Sequence, residues 1–241
     1  MPASVAARPP ARPLSAGVRR IAAAGTLAVA SMVYNDWVLQ FFLPTGLDQR
    51  DSYVSELFAA DQPYRVLFSL VEVVCAGLIT GGAVLARGLF PGRLAAAGCA
   101  CLAALGVFSV ADVLLPMRCA PSIEHGCPEG NPWHTTTSGL VHLVLFASMA
   151  LFIAAARYSV PSLTLVRRWA PWLLPVSMAA AIATTGPFLG HPGGHGLAQR
   201  IHLVTAGVWF ALLAAEAGRA RAGSRPQPAA EPGVERTAAR P

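Results

Sequence analysis

Long stretches of apolar residues alternate with short polar segments along this chain, and six of the stretches are long enough to cross a membrane. Each is close to the ~20 residues that an α-helix needs to span about 30 Å of hydrocarbon. The six runs are roughly residues 21–43, 64–86, 94–115, 136–156, 169–189 and 201–217. The pattern predicts an all-α, polytopic integral membrane protein whose six transmembrane helices form one bundle, with the lipid bilayer as its first partner.

Ionisable residues interrupt five of these runs at Asp36, Glu72, Asp112, His142 and His202. Because successive helices cross the membrane in alternating directions, all five fall in the half of the bundle opposite the chain termini. Ionisable side chains in hydrocarbon are costly and usually face the bundle interior. We therefore expect a polar pocket in one leaflet. Arg118 and Arg200 are expected near it, where they could neutralise Asp36 or Glu72.

Composition supports a membrane protein, and the charge pattern orients it. The chain is 54% hydrophobic and 12% charged, whereas soluble domains carry about 25% charge. All 18 basic residues are arginines, and 14 of them lie in the two tails and in the loops after the second and fourth runs. Cytoplasmic loops are enriched in Lys and Arg, so both termini are predicted to be cytoplasmic in a multi-pass protein of the plasma membrane. Arginines placed between apolar runs form no patch for nucleic acid, and no nucleic-acid partner is expected.

The tails differ from the apolar centre of the chain. Residues 1–18 and 220–241 are rich in Ala, Pro and Arg and lack apolar periodicity, which predicts disordered cytoplasmic tails around a transmembrane domain at 19–219. A cleaved signal peptide ending near Ala30 is the less favoured alternative, because the first run continues apolar past that residue.

Two cysteines lie in the second loop of the predicted outer side. Cys119 and Cys127 are eight positions apart, and a nearby pair outside the cytoplasm readily oxidises. The spacing predicts a disulfide with Cα atoms within about 7 Å. A metal site that uses both thiols and His125 is the alternative. In the preceding loop, Ser52 or Asp51 is expected to cap a short interfacial helix.

Four short blocks resemble a known family. They are SYVSEL at 52–57, ADVLLP at 111–116, TTTSGLVH at 135–142 and GLAQRI at 196–201. Together they are similar to the bacterial and archaeal membrane proteins catalogued as domain of unknown function 998, over roughly residues 20–218. The resemblance implies a six-helix integral membrane protein and no established activity. The segment between the third and fourth helices is longer here than in the family's shorter form.

Three functions are compatible with the predicted pocket. The first is binding or transport of a lipid headgroup or small solute, with arginine as the anion ligand. The second is a zinc-dependent intramembrane hydrolase acting on lipid, because Asp112, His142 and His202 are residue types that hold catalytic zinc. Ser55 and Ser138 match residue types of the alkaline-ceramidase and progestin-receptor type, but the motif order of those proteins is absent. The third is a purely structural polar cluster. The sequence predicts no particular catalytic residue, ligand or oligomeric state.

Overall fold

The chain folds into long α-helices connected by short loops. A computed structural model describes residues 14–128, 131–191 and 193–220, and in these ranges no strand is present. The six long helices are α1 (Ala16–Val33), α2 (Arg65–Ala86), α3 (Arg93–Leu114), α4 (Pro132–Tyr158), α5 (Thr164–Ala183) and α6 (His195–Arg219). Three short 3₁₀ helices lie between them, at Asp36–Phe41, Val54–Phe58 and Gly186–Leu189. The all-α prediction is confirmed.

The helices have the length and apolar character of membrane spans. Among the described residues, α1, α2, α3, α4 and α6 are each long and apolar enough to cross a bilayer. The remaining helix, α5, carries Arg167 and Arg168 near its start and contains Pro171 and Pro175. Large apolar side chains are exposed along the outside of the bundle, where lipid rather than water would cover them. The chain is therefore a polytopic membrane protein.

The six long helices close into a ring. Each packs against the next along the chain, and α6 returns to pack against α1. Close approach depends on small residues: a Cβ at Gly106 of α3 would collide with the backbone of Ala76 on α2. The pairing of α4 with α5, which we call the seam, is the loosest of the six.

The bundle has two different ends. At the end we call the terminal end, the start of α1 meets the finish of α6, and Arg20 Nη1 donates to the Ala220 carbonyl at 3.3 Å. The opposite end, which we call the loop end, is built from residues 34–64, 115–128 and 184–191. There the Cys119–Cys127 disulfide is formed, with Cα atoms 6.0 Å apart. This confirms the predicted cysteine pairing and removes the metal alternative with His125.

Several helix boundaries differ from the sequence prediction, including those of the fifth helix, which spans Thr164–Ala183 instead of roughly 169–189. The first helix ends at Val33 instead of near residue 43, because the Asn35 side chain folds back and donates to the Ser31 carbonyl at 3.3 Å. Asp36 therefore lies in a 3₁₀ helix beyond α1. The fourth helix begins at Pro132 instead of near residue 136, since Asn131 Oδ1 caps its first turn by accepting from Trp133 N. Pro at the first helical position favours such a start.

The starts of the sixth and first helices also differ from the sequence prediction. The sixth helix begins at His195, so that Arg200 lies inside it. The first helix begins at Ala16 with Ser15 as its cap, a few residues before the predicted end of the N-terminal tail. Residues 1–13 and 221–241, which hold most of both predicted disordered tails, lie outside the described residues.

Candidate functional site

Two adjoining cavities occupy the loop-end half of the bundle. The larger, which we call the seam cavity, has a volume of about 350 Å³ and lies between α4 and α5. The smaller, which we call the polar cavity, has a volume of about 80 Å³ and lies between α2, α3, α4 and α6. Residues that line both cavities are Ser55, Ser138, His142 and Gln199. The two cavities therefore meet at a polar rim.

Five of the residues singled out from the sequence line the polar cavity: Asp36, Glu72, Asp112, His142 and His202. Four of them come from four different helices, each at the loop-end side of its helix, and Asp36 comes from the 3₁₀ helix that follows α1. Arg118 and Arg200 line neither cavity. The structure thus brings the acidic and imidazole groups to one space and puts the two arginines elsewhere.

Asp112 connects α3 to α4. Its Oδ1 accepts from Ser138 Oγ at 2.9 Å and from Thr137 Oγ1. The Nδ1 atom of His134 lies 3.2 Å from the same oxygen, but it makes no hydrogen bond there or elsewhere in the described chain. His134 lines the seam cavity and Asp112 lines the polar cavity, so this pair marks the wall between them.

Two imidazoles stack on the other side of that wall. The rings of His142 and His202 are 4.6 Å apart and nearly parallel. His142 Nδ1 lies 2.6 Å from the Ser138 carbonyl, and His202 Nδ1 lies 3.2 Å from the Ser177 carbonyl. A carbonyl only accepts, so His142 Nδ1 donates to Ser138. His202 Nδ1 also lies 3.0 Å from Ser177 Oγ, a hydroxyl that can donate or accept.

Arg200 is a structural clamp at the loop end. Only 4% of it is exposed, and its Nη1 donates to the carbonyls of Gln49 at 2.7 Å and Ser52 at 2.9 Å. Its Nη2 donates to Gln40 Oε1 at 2.7 Å. The guanidinium is thus used on the first loop and does not pair with either cavity carboxylate that it was expected to neutralise. Arg118 is exposed on the other loop.

The 3₁₀ helix at Val54–Phe58 covers both cavities. Glu56 within it is 0% exposed, and its carboxylate accepts from Tyr53 N at 2.7 Å and from Ser122 N at 3.1 Å. On α6, Gln199 Oε1 accepts from Val54 N at 2.6 Å. The expected short helix is therefore present, but it begins after Tyr53 instead of at Ser52 or Asp51. These bonds tie the cover to the disulfide loop and to α6.

A zinc centre does not assemble from the residues considered for it. Within the described ranges, no three His, Cys, Asp or Glu side chains are grouped so as to hold a metal ion. Asp112 faces the hydroxyls of α4, and His202 is turned to Ser177 on α5. Asp112, His142 and His202 therefore do not converge on a common point, and the described part of the chain offers no metal site for the zinc-hydrolase alternative.

Sequence reasoning missed His134 and Gln199. The predicted start of the fourth helix, near residue 136, leaves His134 outside the helix. With the helix starting at Pro132, His134, Ser138 and His142 recur at four-residue intervals, which places them on one face. The Asn131-Pro132 pair, a typical helix start, is the signal that would have found it.

The comparisons with known proteins give a family and no activity. A search of curated proteins and a search of solved structures each found no match. The family described as "Protein of unknown function (DUF998)" matches residues 21–216, which is most of the chain and includes every residue that lines the polar cavity. The chain therefore belongs to the DUF998 family of helical membrane proteins.

Proposed function

We propose that this protein binds an amphipathic small molecule of the lipid class. The apolar part of the molecule occupies the seam cavity, and its polar end reaches the rim where the polar cavity begins. The observation that carries the proposal is that a larger cavity with a mostly apolar surface adjoins a smaller one lined by three carboxylates, and the two share the lining residues Ser55, Ser138, His142 and Gln199. An amphipathic ligand is the kind of molecule that such a joined pair of spaces fits.

The size and lining of the seam cavity support a small ligand. Its volume of about 350 Å³ falls in the range of about 300–1,000 Å³ that small-molecule sites occupy. The surface of its wall is mostly apolar, and Met117, Phe146 and Phe188 are among the lining side chains. Polar residues such as Asn131 and Thr185 also line it. A mostly apolar surface that carries placed polar groups is the usual composition of a ligand site.

Access is proposed to come from the bilayer, through the seam between α4 and α5. This is the loosest helix pairing of the ring, and Ile182 and Phe188 beside it are exposed while also lining the cavity. Gly139 of α4 also lines the cavity, and a Cβ built on it would meet no atom within 4 Å. A lipid-soluble ligand would enter here without passing through the covered loop end.

The proposal includes an orientation in the plasma membrane, with both termini cytoplasmic and the cavities in the outer leaflet. It is supported by the 14 of 18 arginines that the sequence places in the tails and in the loops after the second and fourth apolar runs, and by the loop-end disulfide, since disulfides persist outside the cytoplasm. Reporter fusions at residue 125 and at the C-terminus test it. A C-terminus detected outside the cell would contradict it.

Filling the seam cavity tests the binding function. Gly139→Leu adds a side chain in the cavity, and Gly25→Leu on α1 is its matched control, because Gly25 also has no atom within 4 Å of a built Cβ and lines neither cavity. Both changes exchange Gly for Leu in a helix and have the same effect on helix propensity. The measurement is mass spectrometry of molecules that remain bound after purification in mild detergent.

We expect a defined amphipathic species to copurify with the wild type and with Gly25→Leu, and to be lost from Gly139→Leu. Equal retention by all three proteins would show that the seam cavity does not hold the molecule. A wild-type protein that retains no species above the level of bulk lipid would favour the structural role for the polar cluster.

A further inference from the structure

We infer that the polar end of the ligand is a primary ammonium group, so that the ligand class is a long-chain amine. The inference rests on the proposed function and assigns the chemistry of the polar cavity. It replaces the anionic headgroup expected from the sequence.

The charge of the polar cavity is the first argument. Carboxylates enter it from three separate elements: Asp36 from a 3₁₀ helix, Glu72 from α2 and Asp112 from α3. None of the described lining residues is an arginine, and the chain has no lysine. Arg200 is buried and lies next to the lining residue Gln199 in the sequence, but its guanidinium donates to loop carbonyls instead. A cavity lined in this way repels an anion and attracts a cation.

An unsatisfied buried imidazole is the second and independent argument. His134 is 6% exposed, lines the seam cavity, and its Nδ1 makes no hydrogen bond although it lies 3.2 Å from Asp112 Oδ1. A buried polar atom without a partner is costly. An ammonium group at the boundary of the two cavities would donate to the Asp112 carboxylate, and its positive charge would offset the close approach of two acceptors, Asp112 Oδ1 and Nδ1 of a neutral His134.

Size and donor count select among cations. The polar cavity has a volume of about 80 Å³, which suits a compact head. A primary ammonium brings three N–H donors, and three carboxylates line the cavity. Hydrogen bonds between a charged donor and a carboxylate are stronger than neutral ones. A trimethylammonium head is larger and has no donor to offer. Tyr34 and Phe58, which line the same cavity, add aromatic surface of the kind that cations approach favourably.

The test compares three probes that share one apolar chain. Dodecylamine, dodecanol and dodecanoate carry a cationic, a neutral and an anionic head at pH 7, and their binding to the full chain in maltoside micelles is measured by calorimetry. Partition into micelles is removed by subtracting the signal of Gly139→Leu, whose seam cavity is filled. The variants Glu72→Gln and Asp36→Asn each remove one cavity carboxylate, and Asp61→Asn removes an exposed carboxylate outside both cavities.

We expect dodecylamine to bind at least about tenfold more tightly than dodecanol, which corresponds to about 1.4 kcal/mol, and dodecanoate to bind most weakly. Either cavity variant should lose most of this preference, and Asp61→Asn should keep it. Equal binding of amine and alcohol, or a preference for dodecanoate, would overturn the ammonium assignment and leave the proposed function intact. Failure of dodecylamine to bind above the Gly139→Leu background would also overturn it, whatever copurifies with the wild type.

Discussion

Glu216 at the terminal end and Glu72 toward the loop end are both carboxylates inside the helix bundle, but their surroundings differ. Glu216 is 2% exposed, and its Oε1 accepts from Leu165 N at 2.6 Å and from Val166 N at 3.1 Å. Glu216, a residue of α6, therefore caps the first turn of α5. Glu72 instead lines a cavity together with two other carboxylates. The comparison separates a carboxylate that completes the fold from one that is available to a ligand.

The same difference extends to packing. Toward the terminal end, aromatic side chains fill the interior of the helix bundle. The ring centroid of Phe152 lies 5.8 Å from that of Phe90 and 5.7 Å from that of Trp209, and all three side chains are buried. Toward the loop end, space remains between the helices, and polar groups border it. The terminal-end half is therefore closely packed and the loop-end half contains open space, which is the arrangement that a preformed binding site needs.

The largest effect is expected at Arg200, because it stabilises the cover of the open half. Arg200→Met keeps much of the side-chain length and removes the donors to Gln49, Ser52 and Gln40, which leaves buried acceptors unsatisfied. We expect a loss of about 3 kcal/mol or more in the free energy of unfolding, measured by denaturant or thermal unfolding in detergent. Arg118→Met is the control, and as an exposed arginine it should change stability by less than about 0.5 kcal/mol. Equal losses would show that Arg200 is not a clamp.

The disulfide in the same cover should come next. The double variant Cys119→Ser/Cys127→Ser frees a loop of nine residues, for which chain entropy predicts a loss of about 2.5 kcal/mol. Thermal unfolding with and without a thiol reductant measures it. Reduction should lower the melting temperature of the wild type and leave that of the double variant unchanged. A reductant effect that persists in the variant would assign the stabilisation to another cause.

A slightly smaller loss is expected at the terminal end. Glu216→Ala removes both bonds to the start of α5, and we expect a loss of about 2 kcal/mol in the free energy of unfolding, typical of a strong helix cap. Glu216→Gln keeps one acceptor oxygen and should recover part of this loss. If Ala and Gln are equally destabilising, hydrogen bonding to α5 is not what Glu216 contributes.

The smallest stability effect is expected at the cavity carboxylate. Glu72→Gln removes a charge that burial disfavours, so we expect no loss, or a gain of up to about 1 kcal/mol, in contrast to the loss at Glu216. The same unfolding measurement compares the two Gln variants directly. A loss at Glu72 as large as that at Glu216 would show that Glu72 also completes the fold, and the comparison between the two ends would fail.

The all-α class and the six long helices were predictable because apolar length selects a membrane helix, and among the described residues five of the six are long and apolar enough to span a bilayer. The gathering of Asp36, Glu72, Asp112, His142 and His202 around one cavity follows from helix direction, which sequence order provides. The partners of Arg200 were not predictable, because backbone carbonyls of a loop leave no trace in residue type. The end of α1 was misplaced for a related reason: the turn at Asn35 lies inside an apolar run, where hydropathy cannot show it.

The most direct test of the account is an experimental density map of the protein in lipid nanodiscs that contain the copurified species. We expect elongated density between α4 and α5 beside Gly139, ending in a compact head at the rim formed by Ser55, Ser138, His142 and Gln199. A map in which α4 and α5 close against each other and bulk lipid covers Gly139 from outside would contradict the claim that this half of the bundle is a binding site.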